Sequence, residues 1–375
     1  MFDPRYTTIV TGAAGDLGRR LLPQLREFSL HAVDLHPPDC AVSLRFEPMD
    51  LGREACCRQL VDLLRATGAA NVVHLAFVAD PAACQGDPQR MWQINVAGTA
   101  RVMEAITEVN RMGGAVRKFI FPSSAWAYGS DISFPVKEDM PLTAHPLPCA
   151  LHHQEADEVA QLRAHSLGAC ATYILRPQVY AGAGIDNFLL RAFRGIPPGP
   201  GRIARRLRRQ GKRVPIVIPR GPHALAQPLQ FVHPDDVARL IAFILRRAER
   251  SPELHILNVA GRGPSLSLRR CAEISGARLR QTAAPFLRRW AMRLAWRFGV
   301  SPIPPEVLPY LIAPATLDTA RLRAFLGGDY EQVMQHTIEE AFAAAFVTDD
   351  APAPLPDTEK HDSEKPAREN SLTAD

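Results

Sequence analysis

Short apolar runs rich in β-branched residues alternate with longer segments of helical periodicity through the first half of the chain. The runs predict strands, and they are TTIVTG, LHAVDL, NVVHLA, VRKFIFPSS and ATYILRP, at residues 7–12, 30–35, 71–76, 116–124 and 171–177. Residues 53–68 and 91–110 carry apolar positions three and four apart, which is typical of helices on the faces of a sheet. The alternation predicts an α/β fold with a doubly wound parallel sheet.

The pattern loosens after about residue 180, where the proline and arginine content rises. We therefore predict a sheet domain over residues 1–180, with room for the sheet to extend to about residue 260, and a smaller lobe over residues 181–347. The helical pattern at residues 230–245 is assigned to this second lobe. Residues 348–375 combine prolines and charges with almost no large apolar residue, so they are predicted to be a disordered tail.

Composition narrows the class of protein. The chain has 375 residues, 46% of them hydrophobic and 22% charged, as in a soluble globular protein with a large core. It holds no apolar run long enough to span a bilayer, and MFDPRYTTIV lacks the layout of a signal peptide, so a cytoplasmic location is expected. The net charge of +5 gives little support to nucleic-acid binding. Seven scattered cysteines lack metal-ligand spacing, which indicates reduced thiols without a bound metal.

The segment TGAAGDLG, residues 11–18, follows the first predicted strand and opens a helix. Its glycines lie where a backbone turns tightly and approaches a pyrophosphate. Asp34 ends the second predicted strand, where a carboxylate accepts hydrogen bonds from an adenosine ribose. A carboxylate there repels a 2′-phosphate, so NAD is expected and NADP is disfavoured. Arg19 and Arg20 lie beside the loop, where a basic residue could serve such a phosphate. The alternative is that both are solvated arginines on the helix surface.

Seven motifs then follow one another in a recognisable order: TGAAGDLG, MDL, HLAFVAD, NVAGT, FIFPSSAWAYG, LRPQVYAGAG and FVHPDDVA. Over roughly residues 6–345 the chain resembles an extended short-chain dehydrogenase/reductase of the NAD-dependent epimerase/dehydratase group. The resemblance implies a Rossmann-type fold, a small-molecule substrate such as a nucleotide sugar or a steroid-like alcohol, and a homodimer formed through two helices.

The resemblance also implies roles for individual residues. Ser124 matches the catalytic serine, and Asp236 matches an aspartate at the start of the second lobe. The cofactor-binding positions it implies, together with those of the glycine loop, are Gly12, Gly15, Asp16, Leu17, Gly18, Asp34, Asp50, Leu51, Leu75, Ala76, Asn95, His153 and Pro177.

The chain departs from the family at PCALHHQEADEVA, residues 148–160. The family carries a tyrosine that transfers a proton and, four residues later, a lysine that lowers the phenol's pKa. Those positions hold Cys149 and His153, and no tyrosine lies between Ala144 and His165. One hypothesis is that Ser124 and His153, with an ordinary imidazole pKa near 6.5, hold a water that relays the proton, or that Cys149 donates it. The alternative is that Cys149 is a small apolar helix residue and that the imidazoles are solvated.

Two basic regions bear on the ligand. Residues 191–213 carry nine arginines or lysines, which indicates either an anionic ligand or a solvated surface loop. In PFLRRWAMRLAWRFG, residues 285–299, an apolar stripe that includes Trp290 and Phe298 runs along a helix with arginines largely away from it. Core packing is the prediction for this stripe. A weak contact with a membrane surface is the alternative, and it would favour a lipid-like substrate over a nucleotide sugar.

Three functions remain open from the sequence. The first is an NAD-dependent oxidoreductase or epimerase that acts on a hydroxyl-bearing substrate with an altered proton-transfer site. The second is an inactive NAD-binding sensor or partner subunit of the same fold, which the missing tyrosine and lysine favour. The third is a membrane-surface accessory protein whose cofactor site is only structural.

Overall fold

The computed structural model describes residues 7–78, 87–130, 135–144, 147–248, 251–282, 285–312 and 316–347. The predicted disordered tail, residues 348–375, lies outside the described residues. No helix among the described residues is long and apolar enough to cross a bilayer.

Eleven strands are formed by the described residues. They are β1 (Thr7–Thr11), β2 (Ser29–Asp34), β3 (Arg45–Pro48), β4 (Asn71–His74), β5 (Lys118–Pro122), β6 (Ala171–Pro177), β7 (Ile216–Pro219), β8 (Pro228–Leu229), β9 (Leu254–Val259), β10 (Leu266–Ser267) and β11 (Leu279–Thr282). Seven of them form one sheet in the order β3-β2-β1-β4-β5-β6-β9, and every neighbouring pair is parallel. This confirms the predicted doubly wound sheet.

Helices connect the strands. They are α1 (Asp16–Leu21), α2 (Cys56–Thr67), α3 (Pro88–Trp92), α4 (Gly98–Arg111), α5 (Pro148–Ala164), α6 (Phe188–Arg194), α7 (Arg202–Arg209), α8 (Pro222–Ala226), α9 (Pro234–Arg246), α10 (Leu268–Ser275), α11 (Pro285–Arg297), α12 (Leu308–Ile312), α13 (Ala320–Leu326), α14 (Tyr330–Val333) and α15 (Ile338–Ala344). The strand order changes direction between β1 and β4, where crossover helices leave the sheet on opposite faces. A crevice at the carboxyl ends of the strands is expected at such a switch point.

Two hydrophobic clusters cover the two faces of the sheet. One contains apolar side chains of α1 and α9, including Leu21 and Leu240, and the other contains side chains of α2, α4 and α5, including Leu60 and Ile106. The assignment of residues 230–245 to the second lobe is therefore wrong. Helix α9 carries a wide apolar face, and that face packs beside α1 on the sheet, although the helix follows segments of the second lobe in the chain.

A third cluster lies under α6, α10 and α15, beside the two-stranded pairs β7–β11 and β8–β10. Helix α11 borders it through Met292, and Ala291, Met292 and Ala295 line an apolar cavity beneath the helix. Trp290 and Phe298 are 55% and 57% exposed, so the predicted core packing of these two aromatic side chains is wrong. The smaller side chains of α11 face the interior instead.

Candidate functional site

The glycine loop follows β1 directly and passes very close to the segment after β4. Gly12 has a φ of +65°, and a Cβ there would lie 2.4 Å from the backbone N of Ala76. A Cβ at Gly18 would lie 2.3 Å from the carbonyl oxygen of Ala13. Both positions therefore require glycine, the first for its backbone conformation and both for close packing.

Asp34 lies at the carboxyl end of β2 and is joined to the glycine loop. One carboxylate oxygen accepts a 2.9 Å hydrogen bond from the Ala14 N–H, and the other accepts one of 2.7 Å from the Leu35 N–H. Arg19 pairs with Asp16, and Arg20 pairs with Asp235. The two arginines are thus engaged with carboxylates at α1 and α9, which weakens the expectation that they serve a 2′-phosphate.

Asp50 follows β3 and forms an ion pair with Arg90, with both carboxylate oxygens 2.5 Å from the guanidinium nitrogen. Burial acts to raise the pKa of Asp50, but hydrogen bonds from Arg90 and the Gly52 N–H and the charges of Arg90 and Arg53 hold it below its ordinary value. Leu51 is buried, and its carbonyl accepts a hydrogen bond from Arg101. Arg90 therefore packs on the segment that carries Asp50 and Leu51, two of the cofactor-binding positions that the resemblance implies.

Asn95 fixes the segment that follows β4. Its side-chain oxygen accepts a 2.7 Å hydrogen bond from the Val78 N–H, and its amide donates a 2.9 Å bond to the Val78 carbonyl. These bonds tie the segment bearing Leu75, Ala76 and Phe77 to the turn of helix between α3 and α4. Asn95 thereby orders one wall of the crevice.

A cavity of about 370 Å³ opens at the switch point of the sheet. It is lined by the glycine loop, by the ends of β4, β5 and β6 and by the start of α6. Among the described residues its walls are Gly12, Gly15, Asp16, Leu17, Gly18, Leu75, Phe77, Pro122, Ser123, Ser124, Trp126, His153, Pro177, Gln178, Val179, Tyr180, Asp186, Asn187 and Phe188. The structure thus brings nine of the sequence-predicted positions together, whereas Asp34, Asp50, Leu51, Ala76, Asn95 and Cys149 do not line this cavity.

Two serines follow β5 directly at the cavity wall. Ser124 caps a short 3₁₀ turn, and its hydroxyl accepts a 3.2 Å hydrogen bond from the Trp126 N–H. The Ser123 hydroxyl is buried and has no hydrogen-bond partner among the described residues. The Trp126 ring, which lines the cavity, stacks on Tyr310 and makes a tilted contact with Phe188, so two other rings hold it in place. Both serines line the cavity, and among the described residues the Ser124 hydroxyl is engaged by the Trp126 N–H alone.

Cys149 and His153 take different positions although they lie one turn apart on α5. Cys149 is 1% exposed and belongs to the hydrophobic cluster under the second lobe. His153 is 8% exposed and stacks on Phe77, with the ring centroids 3.9 Å apart and the planes within 9°. Its Nδ1 is buried without a hydrogen-bond partner among the described residues. The cavity therefore meets the imidazole and not the thiol.

The charge state of His153 differs from the sequence hypothesis. Burial, and then the neighbouring His152, lower the pKa of His153 to about 3. The imidazole is therefore neutral near pH 7, where a pKa near 6.5 was expected, and it cannot supply the positive charge of the missing lysine. It also is not solvated, because Phe77 covers one face. The ring can donate or accept a hydrogen bond to a ligand or water, and no more.

A buried polar network holds α5 against β6. Arg176 forms an ion pair with Asp157, one turn after His153, at 2.8 Å, and both side chains are essentially unexposed. Arg176 also donates a 2.6 Å hydrogen bond to the Tyr128 hydroxyl, which donates in turn to Asn258. Burial raises the pKa of Tyr128 to about 12, although Arg176 acts against this. The Tyr128 phenol is thus committed to the interior and does not replace the missing tyrosine.

One cluster has metal-ligand chemistry among the described residues, formed by His233, Asp236 and His336. The two imidazole rings stack with centroids 3.9 Å apart, and His336 Nδ1 lies 2.7 Å from an Asp236 oxygen. The Arg239 guanidinium already contacts Asp236 and lies 3.3 Å from the same His336 nitrogen. The positive charge of Arg239 therefore already lies beside the Asp236 carboxylate, and this cluster does not support the binding of a metal ion.

Several residues of the cavity were missed by sequence reasoning. Asp186 pairs with Arg191 and Arg194, and Asn187 caps α6 through the Leu190 N–H while donating to the Tyr180 carbonyl. The cap pattern of asparagine before an apolar helix was a readable signal for the start of α6. Nothing in the sequence placed this helix start against Ser124.

Buried histidines give stability a pH dependence that can be measured. Burial lowers the pKa values of His74 and His153 to about 3, whereas an unfolded imidazole titrates near 6.5. Between these values the unfolded chain binds protons that the folded chain does not. The free energy of unfolding is therefore expected to fall as the pH drops below about 6.5 and to be fully recovered above it.

Thermal unfolding between about pH 5 and pH 8 tests this expectation. His153→Gln should show a smaller loss of melting temperature on acidification than the wild type. The matched control His165→Gln removes an exposed imidazole just after α5 and should leave the pH dependence unchanged. Identical pH profiles for all three proteins would contradict a neutral, buried His153.

The sequence of this chain is similar to those of known proteins. The family model described as "NAD dependent epimerase/dehydratase family" matches residues 8–260. A UDP-glucose 4-epimerase 4 of Oryza sativa subsp. japonica is 27% identical over 207 residues, which are 51% of this chain and 54% of the relative. A UDP-glucose 4-epimerase of Mycolicibacterium smegmatis is 31% identical over 147 residues, which are 36% of this chain and 44% of the relative. The chain thus spans about half the length of the curated relatives it matches.

Solved structures extend the likeness in fold over more of the chain. MoeE5 in complex with UDP-glucuronic acid and NAD superposes with a TM-score of 0.61 at 22% identity, covering 91% of this chain and 97% of that one. At this identity the match shows the fold alone. The family match covers most of the chain and includes the glycine loop, both serines of β5 and helix α5. The chain belongs to the NAD dependent epimerase/dehydratase family.

Proposed function

We propose that the chain binds NAD in the cavity at the glycine loop and interconverts a hydroxyl group and a ketone on a nucleotide sugar. The proposal includes a proton-transfer site that lacks the family's tyrosine and lysine. The observation that carries it is the cavity itself, in which the glycine loop, Ser124 and His153 meet at the switch point of the sheet.

The residues of the cavity fit a dinucleotide. Gly12 and Gly18 let the loop turn tightly and pack against the backbone of Ala76 and Ala13, which holds the loop at the cavity wall where a pyrophosphate would lie. The Ser123 hydroxyl and His153 Nδ1 are buried polar atoms without a partner among the described residues, and such atoms cost free energy until a ligand or water satisfies them. Asp34 presents its carboxylate at the end of β2. These features support NAD binding across the crevice.

NAD supplies the hydride acceptor when it is bound. Ser124 would hold the reacting hydroxyl of the substrate, because the residue lines the cavity and the only described partner of its hydroxyl is the Trp126 N–H. The neutral His153 would hold a water or a ribose hydroxyl by hydrogen bonding. Neither group takes up a proton readily at neutral pH, so water is left as the proton carrier. We expect slow turnover for this reason.

The relatives support a nucleotide sugar over a steroid-like alcohol. The two curated relatives are named UDP-glucose 4-epimerases, and the MoeE5 structure contains UDP-glucuronic acid. We extend a substrate of this class to the present chain. The homodimer and the cytoplasmic location stay predictions from the sequence.

A second candidate function is NAD binding without turnover, in a sensor or partner subunit. The observation that favours it is Cys149, which is buried in the hydrophobic cluster and does not line the cavity. In this case the site would hold NAD while no residue moves the proton.

Single-turnover measurement separates the two candidates. The protein is saturated with NAD and mixed with UDP-glucose or UDP-glucuronic acid, while the absorbance of reduced nicotinamide and the formation of ketone or epimer are followed. Slow reduction that depends on the sugar nucleotide supports the proposed reaction. Tight NAD binding without any reduction or epimer would leave the second candidate function.

Asp34 gives a direct test of the cofactor preference. Asp34→Ala is expected to weaken NAD binding by about 10- to 100-fold, because hydrogen bonds to a charged group are lost along with the tie to the Ala14 N–H. Asp34→Ala should also reduce the difference in binding affinity between NAD and NADP. Calorimetric titration measures both. The control Asp62→Ala removes an equal charge from the exposed side of α2, and equal losses in the two variants would contradict a specific role for Asp34.

A further inference from the structure

Two stretches of the chain are basic and contain no acidic residue. Residues 187–234 hold ten arginines or lysines, and residues 274–305 hold six arginines. The chain as a whole has 44 basic and 39 acidic residues, so the remainder is acidic on balance. Positive charge is therefore concentrated in these two stretches, which include α7 and α11. Neither stretch contributes a basic side chain to the NAD cavity.

The two stretches lie against each other. The Gly199 N–H donates a 2.8 Å hydrogen bond to the Gly299 carbonyl, and a Cβ at Gly199 would lie 2.5 Å from the Gly299 Cα. Strands β7 and β11 also pair, in parallel. Pro198 and Gly199 form one groove with Arg293, Trp296 and Arg297. The start of α7 and the end of α11 thus form one continuous surface.

Large apolar side chains of the same two stretches are exposed, close in sequence to exposed arginines. Ile196, Ile203, Trp290 and Phe298 are 46%, 59%, 55% and 57% exposed. Those arginines are Arg202, Arg205, Arg206, Arg209, Arg293 and Arg297. We call these ten residues the basic aromatic face. The opposite side of α11 faces the apolar cavity, so the exposed aromatic side chains are not needed for packing.

The arginines of the basic aromatic face have no internal counter-charge. Within the part of the chain that the structure describes, no carboxylate lies within ion-pair distance of any of the six. By contrast, Arg191 and Arg194, on the helix just before this face, both pair with Asp186. The charges of the face are thus available to an external anionic surface.

We propose that the basic aromatic face docks the protein on a bilayer that contains anionic lipids. Arginines beside a membrane are attracted to anionic headgroups, and tryptophan and phenylalanine side chains insert at the boundary between headgroups and acyl chains. A nucleic acid would satisfy the charges but would leave Ile196, Ile203 and Phe298 against water or phosphate. The four exposed apolar side chains therefore favour a bilayer. The proposal does not depend on the reaction at the NAD cavity.

Vesicle flotation with the full chain tests the proposal. The wild type should bind vesicles of phosphatidylcholine mixed with phosphatidylglycerol and show little binding to phosphatidylcholine alone, and added salt should release it. The triple variant Arg202→Gln, Arg293→Gln, Arg297→Gln should bind the anionic vesicles about 100-fold more weakly. Trp290→Ser with Phe298→Ser should also weaken binding, at any salt concentration.

Matched variants elsewhere control for charge and hydrophobicity. Arg58→Gln with Arg65→Gln removes exposed arginines from α2, and Leu162→Ser removes a 72% exposed leucine from α5. Both should bind anionic vesicles like the wild type, and thermal unfolding of every variant shows whether the fold is kept. Equal binding to both kinds of vesicle, no binding to either, or equal loss in the controls would overturn the proposal. Tighter binding to duplex DNA than to vesicles, lost in the same triple variant, would do so as well.

Discussion

Gly12→Ala is expected to abolish NAD binding, with a loss of affinity of at least about 100-fold. Two features of the position act together. Gly12 has a φ of +65°, and the added Cβ would lie within 2.6 Å of three backbone atoms of Leu75 and Ala76. Backbone atoms cannot rotate away as a side chain can, so the glycine loop and the segment after β4 must separate. That movement changes the cavity wall on which the cofactor is proposed to lie.

Gly68→Ala provides the matched control. Gly68 ends α2 with a φ of +60°, nearly the value at Gly12, and a Cβ there would meet no atom within 4 Å. Both variants introduce an alanine in the left-handed region, which costs about 1–2 kcal/mol of stability. Only Gly12→Ala adds a collision at the cavity. Calorimetric titration should show that NAD binding is lost in Gly12→Ala and kept in Gly68→Ala, and thermal unfolding checks that both variants are folded. An unchanged NAD affinity in Gly12→Ala would contradict the proposed cofactor site.

Restoring the family's pair is expected to raise the rate of sugar oxidation by NAD on the order of 100-fold or more, the usual contribution of positioned acid–base groups. The double variant is Cys149→Tyr with His153→Lys. The buried Cys149 thiol does not line the cavity, so the longer tyrosine side chain would have to reach it, and its phenolate would accept the proton there. A lysine one turn later would add the positive charge that the neutral His153 lacks. NAD affinity should be unchanged or higher. The single-turnover assay with UDP-glucose measures the rate.

The single variants are informative controls for this pair. Cys149→Tyr alone should give a smaller gain, because the phenol would keep a higher pKa without the lysine. His153→Lys alone should give none, since no phenol is present to benefit. A double variant that is folded and binds NAD but loses a measurable wild-type reaction would contradict the expected gain in rate. It would indicate a site adapted to these two residues.

Much of the sheet was predictable from the sequence because its central strands are continuous β-branched runs bounded by turn residues. The edge strands were not. Strand β3 is four residues long with exposed ends, and β9 follows a long helix and lies next to β6 at the far edge. The apolar content of α9 was readable as well. Its packing against α1 was not, because the face that a right-handed crossover helix covers follows from the strand order, and the place of β9 next to β6 was not predicted.

The candidate site was predictable where backbone geometry requires particular residues, as at Gly12 and Gly18. Burial was not predictable, and burial decides the chemistry of α5. Cys149 and His153 differ in position because one side chain packs into the second lobe and the other lies against Phe77. The neutral state of His153 follows from that environment and not from its place in a motif. The exposure of Trp290 and Phe298 was hidden for the same reason.

We propose above all that this chain holds NAD at the crevice between β1 and β4. Calorimetric titration of the purified full chain with NAD, NADH, NADP and NADPH tests it most directly. We expect NAD and NADH to bind at one site per chain, and NADP and NADPH to bind more weakly because of Asp34. Absence of binding for all four nucleotides would contradict a cofactor site at this crevice and would leave the glycine loop with a structural role alone.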